Sequence, residues 1–347
     1  MNAFRTIFCI IIIVLTIFSL NAQQTNISDL KTPPSPAFVL LGIEPTSISS
    51  PSTPRAVAGS FVSTIQQGGA MEIAPYWLTA HPNLTFDEYY KANVGQTILQ
   101  TLSISFATIP KTSDTDTMGT RVGLGARWLL VSGEPRDSLY ILKDGLKKLQ
   151  GELLETEDSV KQKEIKSKMK AVSLAIQKMD HRRVGFSLAM ASAATMNFLH
   201  NNPREGKLDK WGVWLTASYL MDEPSIDFLA VARVITNSKE EGSQNIFDLG
   251  ARIVASISNF SLSCEYIQRA ELSLEHTAQT GSIKSGNFFL KNTYRLAGNL
   301  EYKYSSDISV FMTFGKNYST ENEQNGSLVA QVGFNFGLGE IPIIKDN

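Results

Sequence analysis

The sequence predicts an all-β fold, an antiparallel transmembrane β-barrel of about 12 strands (roughly 10 to 14) with a helical-hairpin insertion. Three observations support this prediction. Apolar and polar residues alternate along several segments of roughly 11 to 13 residues, a length that suits a tilted strand crossing a bilayer. No apolar run long enough for a membrane-spanning helix follows the N-terminal 22 residues. In residues 134–181 the apolar residues instead recur at helical spacing.

The alternation is clearest between Phe247 and Leu272, on both sides of a bend at residues 258–259. One face of this segment is apolar, and it carries Phe247, Leu249, Ala251, Ile253, Ala255, Ile257, Phe260, Leu262, Cys264 and Tyr266. The other face is polar and partly charged. Because successive side chains leave a strand on opposite faces, this pattern predicts two strands with lipid on one side and the lumen on the other.

The same bend predicts the register of this hairpin. If residues 258–259 form the turn, the numbers of paired residues sum to about 517. Arg252 then lies opposite Glu265, and Asp248 lies opposite Arg269. Opposite charges that face each other across two strands stabilise their register. Both pairs lie on the polar face, so the sequence predicts two ion pairs inside the barrel.

The first 22 residues have the pattern of a secretory signal peptide. Arg5 supplies a basic n-region, residues 6–20 are apolar, and Leu20-Asn21-Ala22 precedes Gln23. This pattern predicts export and cleavage after Ala22. An uncleaved membrane anchor is the alternative, but roughly 15 apolar residues are short for one.

The predicted mature chain is close to neutral. Residues 1–22 contain Arg5 as their only charged side chain, so their removal changes the formal net charge from −1 to −2. We therefore expect no nucleic-acid partner.

Cys264 is the only cysteine after residue 22, which excludes an intramolecular disulfide. It lies on the predicted apolar face, where it serves as a small hydrophobic side chain.

Residues 23–68 are rich in proline, serine and threonine, and they predict a mostly irregular N-terminal arm. The arm contains an apolar island at Phe38–Leu41. Near its end, Ser52-Thr53-Pro54 has the pattern of a helix start. The residues that would share one face of this short helix are Val57, Phe61, Val62 and Ile65. The arm could plug the lumen or lie in the periplasm, and both interpretations stay open.

Eleven strands are predicted between residues 69 and 339, the expected barrel. Besides the two strands of the hairpin, they are Ala70–Ala80, Gln96–Thr108, Thr120–Val131, Val184–Phe198, Trp211–Leu220, Ile226–Ile235, Phe288–Tyr304, Ile308–Gly315 and Leu328–Leu338. A capping box at Thr85–Glu88 predicts a short helix in one connection. A barrel in lipid must close, and single-chain bacterial barrels have even strand numbers, so a twelfth strand is implied. It could lie at Ala56–Ile65, at Phe38–Ile43, or within a segment read as one strand.

Residues 134–181 predict a helical hairpin inserted between two strands. Its apolar residues recur in steps of three, four and seven, and they are Leu142, Leu146, Leu149, Leu153 and Val160, then Ile165, Met169, Val172, Ile176 and Met179. A second capping box at Ser159 and Gln162 marks the start of the second helix. The many lysine and glutamate residues are most simply a solvated face, although a periplasmic or surface partner could bind residues 137–180.

Loop lengths predict an orientation. The turns at 222–225, 258–259 and 305–307 are short, and short turns are periplasmic in barrels of this class. The C-terminus is then periplasmic, and by the same parity so is the helical hairpin; one strand more or fewer would reverse this. Aromatic residues near strand ends predict interfacial girdles, namely Trp77, Trp211, Tyr219 and Tyr304.

Residues 70 to 339 resemble bacterial outer-membrane β-barrel proteins as a class. The region Asn21-Ala22-Gln23 and the final strand with Phe334-Asn335-Phe336 resemble those of Bacteroidota barrels. The resemblance implies a location in the outer membrane, with the lipid bilayer and the barrel-assembly machinery as partners. In one respect the chain departs from the class pattern, because residues 340–347 follow the last strand instead of ending it on an aromatic residue.

Catalytic and metal-binding patterns are weak. The four histidines His81, His181, His200 and His276 lie in predicted connections without metal-ligand spacing. No phosphate-binding loop, cysteine pair or nucleophile elbow occurs, so we expect no cofactor and no enzymatic activity. The alternative is a lipid hydrolase at the barrel rim, which would pair His200 or His276 with a serine.

The inward-facing charges are the candidate functional residues. The candidates that line the lumen are Arg121, Arg127, Arg233, Arg252, Arg269, Lys291, Arg295 and Lys303, with Glu72, Asp227, Asp248, Glu265 and Glu301. A slight basic excess favours a porin-like, passive or weakly selective channel for small solutes, with some preference for anions. In a narrow barrel, however, such charges can instead pair and fill the interior. The alternative is therefore a non-conducting barrel that anchors or scaffolds an envelope partner through its helical hairpin.

Overall fold

A computed structural model of the chain describes residues 35–42, 57–63, 68–79, 81, 84, 86–111, 119–178, 183–199, 202–222, 225–239, 242–275, 287–305, 308–318 and 328–338. Within these ranges the chain forms a single antiparallel sheet in which each strand pairs with its neighbours in sequence. The first strand also pairs with the last, so that the sheet closes on itself. The predicted all-β, antiparallel class is confirmed.

The described strands number twelve. They are β1 (Val57–Ser63), β2 (Gly68–Ile73), β3 (Ser103–Lys111), β4 (Gly119–Val131), β5 (Gly185–Leu199), β6 (Gly206–Leu220), β7 (Ile226–Lys239), β8 (Gly242–Ile257), β9 (Phe260–Glu275), β10 (Asn287–Lys303), β11 (Ile308–Lys316) and β12 (Leu328–Leu338). The described α-helices are α1 (Pro36–Leu41), α2 (Phe86–Tyr90), α3 (Val94–Thr101), α4 (Asp137–Glu155) and α5 (Ser159–Lys178).

Strands β8 and β9 have the register that the sequence predicts. Arg252 pairs with Glu265, and Asp248 pairs with Arg269. The turn between the strands is as short as expected, and Ser258 adopts a left-handed backbone conformation with a φ of 49°. Two-residue hairpin turns need such positive φ values because they match the twist of the flanking strands.

The two faces of the wall differ sharply. Outward side chains are apolar and exposed, as for Leu249 (67%) and Leu124 (58%), whereas their inward neighbours Asp248 and Gly123 are buried. So wide a band of exposed apolar side chains is stable against lipid rather than water. Cys264 lies on this outer face, as predicted. None of the described helices is both long and apolar enough to cross a membrane.

The short helix predicted at the end of the N-terminal arm is wrong. Residues 57–63 form strand β1 rather than a short helix, and they pair with β2 on one side and β12 on the other. The strand lies within Ala56–Ile65, one of the positions left open for an additional strand. The spacing of the apolar residues in this segment fits both a helix and a strand, and pairing with two neighbouring strands favours the strand. The barrel therefore begins at Val57 instead of residue 69. The predicted signal peptide (1–22), the rest of the arm apart from 35–42, and the tail (340–347) lie outside the described residues.

Two predicted strands are shorter than expected. The strand expected at Ala70–Ala80 ends at Ile73, and Pro75–Leu78 forms a 3₁₀ turn. The strand expected at Gln96–Thr108 starts only at Ser103, because Asn93 and Gln96 form a capping box that starts α3. Trp77 consequently does not belong to an interfacial girdle. It packs in a cluster with the helices, and its indole N–H donates to the Gln100 carbonyl at 2.7 Å.

Helices α2 to α5 gather at one end of the barrel. Strand direction alternates, so the connections after β2 and β4, which contain α2 to α5, lie at the same end as the turns after β6, β8 and β10. The end of β12 lies there too. At the opposite end β7 and β8 are joined by only two residues, fewer than the sequence indicates. Loop length alone therefore does not separate the two ends, and their compartments stay a prediction.

Candidate functional site: the filled lumen

The lumen contains helix α1 as well as inward side chains. Ser35 caps the helix by accepting a hydrogen bond from the Phe38 N–H at 3.4 Å, and Pro36 occupies its first turn. Gly42 ends it with a φ of 79°, a conformation that glycine adopts without steric cost. The helix has only six residues, of which Pro36 to Leu40 are buried. So short a helix depends on its surroundings for stability.

The wall of β4 is shaped to receive this helix. A Cβ at Gly125 would lie 2.8 Å from Pro36 Cβ, and a Cβ at Gly123 would lie 3.2 Å from Ala37 Cβ. Any larger residue at Gly125 would therefore displace the helix. The hydroxyl of Ser105 on β3 accepts a hydrogen bond from the Ala37 N–H at 3.1 Å.

The apolar side chains of α1 extend across the lumen. Phe38 is fully buried and belongs to a cluster with Ala107, Ile109 and Phe311, which come from β3 and β11. A second cluster joins α1 to strands β5 to β9, and its members are Val39, Leu40, Ala191, Ala193, Trp214, Leu229, Val231, Ile235, Ile246, Val254 and Ile267. The helix thus bridges opposite parts of the wall.

The charged part of the lumen lies on β7 to β10 and centres on Asp248. Arg233 donates to the Asp248 Oδ2 through Nη2 at 2.6 Å and Nε at 2.8 Å. Arg269 donates through Nε to Oδ1 at 2.8 Å and through Nη2 to Oδ2 at 3.0 Å. The predicted Asp248–Arg269 ion pair is confirmed, and Arg233 is an additional partner. Arg269 also stacks on an aromatic ring, because its Cζ lies 3.6 Å from the ring centroid of Tyr318.

The second predicted pair, Arg252 and Glu265, also has contacts with other residues of the wall. Arg252 and Glu265 are register partners, and the Arg252 Nη2 donates to the Ser263 hydroxyl at 3.0 Å. The Glu265 Oε1 lies 3.4 Å from the Nε of Arg295 on β10. Arg252 on β8 and Arg295 on β10 thus lie on either side of Glu265 on β9.

The remaining candidates are spread around the wall. Arg127 is 2.8 Å from Glu72, which also accepts a hydrogen bond from Ser103. Arg121 is 3.5 Å from Asp209, a residue that the sequence-based set omits. The other four candidates also face inward: Glu301 accepts from Ser309 at 2.6 Å, Asp227 and Lys303 are buried, and Lys291 is half-buried.

A helical cap, formed by the described residues between 74 and 102 and by helices α4 and α5, stands at one end of the barrel. Its apolar cluster joins Leu84, Tyr89 and Tyr90 to Leu139, Leu146 and Ile176. Arg183, just before β5, fixes the base of the hairpin. Its Nη2 donates to the Tyr89 carbonyl at 2.6 Å, its Nη1 donates to the Ser132 hydroxyl at 3.0 Å, and it lies over the rings of Tyr89 and Tyr90.

The described residues contain no group of three or more histidine, cysteine or acidic side chains that could hold a metal ion. His181, His200 and His276 lie outside the described residues, so the rim hydrolase that would use His200 or His276 is not tested by the structure. His81 stacks on Tyr76 in the helical cap, with ring centroids 3.9 Å apart.

No family model and no curated protein matches this chain. Solved structures similar to it are outer-membrane β-barrels. They include the NanC porin (9% identity, TM-score 0.39) and the KdgM porin, solved in complex with disordered oligogalacturonate (9%, 0.37), each matched over 81% of this chain and 98% of its own. LpxR from Salmonella typhimurium matches at 7% identity and a TM-score of 0.34, over 81% of this chain and 99% of its own. Such low identities and TM-scores do not assign a function.

The sequence identified the charges and left open that the N-terminal arm plugs the lumen, but it did not predict helix α1 or the glycines of β4 that contact it. Alternation marks Gly123 and Gly125 as inward and small, yet nothing local indicates what fills the space beside them. The signal that could have revealed α1 is Ser35-Pro36 before an apolar stretch with Gly42 directly after it, a cap at each end of a short helix.

Proposed function

We propose that this chain is an outer-membrane barrel that offers small solutes a passive, weakly selective passage, which helix α1 closes in the described state. The observation that carries the proposal is the seat of α1 on Gly123 and Gly125. A permanently closed lumen needs no separate segment, because larger inward side chains would fill it. Glycines that leave room for a helix favour a closure that can be removed.

The contacts of α1 are suited to release. Within the described residues, one hydrogen bond joins the helix to the wall, between the Ala37 N–H and the Ser105 hydroxyl. The other contacts are apolar packing, which has no directional requirement. Displacement of the helix would leave the Ser105 hydroxyl in contact with water, which can satisfy it, and would expose the apolar side chains that pack against α1.

Single-channel conductance in planar bilayers tests the proposal. We expect the mature chain to be mostly closed and Gly125→Leu, which cannot seat Pro36, to conduct steadily. Gly298→Leu is the matched control, since a Cβ at Gly298 has no neighbour closer than 3.8 Å. Folding of each variant is checked by the heat-dependent shift of the barrel in gel electrophoresis. If correctly folded Gly125→Leu does not conduct, the chain provides no passage.

A cross-link makes the test reversible. Ala37→Cys with Gly123→Cys, in a Cys264→Ser background, places two thiols where Cβ atoms are about 3.2 Å apart, close to disulfide geometry. Oxidation should suppress all openings, and reduction should restore those of the uncross-linked protein. Openings of equal frequency in both states would show that α1 is not the gate.

The second candidate is a non-conducting scaffold, favoured by the mounting of the hairpin through Arg183 and the apolar cluster of the helical cap. A partner would bind helices α4 and α5 while α1 stays in place. Replacing residues 137–178 by a short turn distinguishes the two: a passage keeps its conductance, whereas a scaffold loses its partner in cross-linking from whole cells.

A further inference from the structure

The lumen holds an orphaned hydroxyl beside a cluster of arginines. The Tyr318 hydroxyl is buried and has no hydrogen-bond partner among the described residues. Buried hydroxyl groups are almost always paired, and an exception calls for a missing water, ion or ligand. Tyr318 follows the end of β11 and packs against the apolar cluster around Val231.

The electrostatic surroundings of this hydroxyl are cationic. The charges close enough to act on Tyr318 are those of Arg233, Arg269 and Arg295 and the single carboxylate of Asp248. Arg233 and Arg269 share that carboxylate, which leaves one net positive charge in the group of three. Glu271 also acts on Arg269, and it keeps its negative charge when its Oε2 accepts from the neutral Gln244 amide at 3.2 Å, so the four side chains together are neutral.

The geometry leaves one arginine edge available. Arg269 uses Nε and Nη2 for Asp248, so Nη1 can donate elsewhere. Its side chain is 16% exposed, whereas those of Arg233 and Asp248 are 2% and 0% exposed. Arg269 is therefore the member of the cluster that a solute in the lumen can reach, and Tyr318 lies directly against it.

We propose that Arg269 and the Tyr318 hydroxyl form a binding site for the oxyanion group, carboxylate or phosphate, of a small solute. The bound anion accepts from Arg269 Nη1 and from the Tyr318 O–H, two donors that lie close to Arg233 and Arg295. Such a site would make small anions the solutes of the proposed passage, and this inference rests on that proposed function. Binding itself requires no current.

The test measures saturable stabilisation of the refolded mature chain in detergent by millimolar inorganic phosphate or acetate, at ionic strength held constant with sodium chloride. We expect a saturable rise of the melting temperature, with about tenfold weaker affinity for Tyr318→Phe, because that change removes one hydrogen bond to a charged acceptor. Tyr302→Phe, on the outer face, is the matched control. Saturation by phosphate alone, acetate alone or both identifies the group that binds.

Two outcomes would overturn the site: no saturable effect of either anion on the wild type, or equal affinity of Tyr318→Phe and wild type. Arg269→Gln provides a second variant, since Asp248 keeps its bonds to Arg233, and it should abolish the anion effect while the barrel folds. Failure of the passage would leave these titrations unchanged, so the two proposals fail separately.

Discussion

Asp248 and Arg269 face each other across β8 and β9, and the Arg269 Nε lies 2.8 Å from the Asp248 Oδ1. Arg233 approaches the same carboxylate from β7, with Nη2 2.6 Å from Oδ2. The side chain of Asp248 has no exposed surface, so two guanidinium groups depend on one buried anion. The aspartate therefore matters more to the fold than either arginine.

We expect Asp248→Asn to lower the free energy of unfolding by about 3–5 kcal/mol, because it leaves two cations without their buried partner. Arg269→Gln should cost less, because Arg233 still neutralises Asp248. Urea unfolding of the protein in lipid vesicles, followed by tryptophan fluorescence, measures both. The control is Asp209→Asn, whose more exposed pair with Arg121 at 3.5 Å should be worth less than about 1 kcal/mol. Equal losses in all three variants would contradict this ranking.

The β8–β9 hairpin shows how far local pattern can specify this fold. Two long alternating segments around one short turn admit a single register, because a shift by one residue would turn Leu249 inward and Asp248 toward lipid. The pairs Asp248–Arg269 and Arg252–Glu265 then follow from the position of the turn, because the numbers of paired residues sum to 517. The Arg233 contact does not, because it depends on how a third strand aligns with the first two.

Segments with mixed periodicity were not predictable in this way. Val57, Phe61 and Val62 fit a helix locally, and only pairing with β2 and β12 makes them a strand. The reverse holds for Gln96 to Thr101, where a capping box starts a helix in a segment that also alternates. The position of α1 in the lumen depends on the closed barrel around it, which no local pattern encodes.

Phe38→Ala should release α1 without unfolding the barrel. Phe38 is completely buried in the lumen, and loss of such a phenyl ring removes about 3–5 kcal/mol of packing. Without this ring the helix keeps only the packing of its other side chains and one hydrogen bond, so cleavage by protease ahead of Val57 should become faster. The heat-dependent gel shift of the barrel should stay at the wild-type temperature. Phe228→Ala, a lipid-facing change on β7, should affect neither measurement. A lower barrel melting temperature in Phe38→Ala would mean that α1 belongs to the barrel core.

Ser258→Gly should stabilise the β8–β9 turn. Ser258 has a φ of 49°, which L-residues with a Cβ adopt at a cost of roughly 1 kcal/mol and glycine adopts freely. Part of this gain is lost to the greater flexibility of glycine in the unfolded chain, so we expect a net gain of about 0.5 kcal/mol. Urea unfolding measures it. Ser256→Gly, in the extended part of β8, is the control and should destabilise.

Arg183 should determine how firmly the hairpin is attached to the barrel. It donates to the Tyr89 carbonyl and the Ser132 hydroxyl and lies over two tyrosine rings, so it joins three separate segments. Arg183→Gln loses the ring contacts and the planar fork of donors. We expect amide hydrogen exchange in α4 and α5 to become about tenfold faster or more, while exchange in β8 and β9 stays unchanged. Lys168→Gln is the control, because its exposed pair with Glu164 joins only successive turns of α5. Unchanged exchange in Arg183→Gln would mean that the apolar cluster around Leu139 and Ile176 holds the hairpin by itself, and faster exchange throughout the barrel would mean that Arg183 stabilises the strands instead.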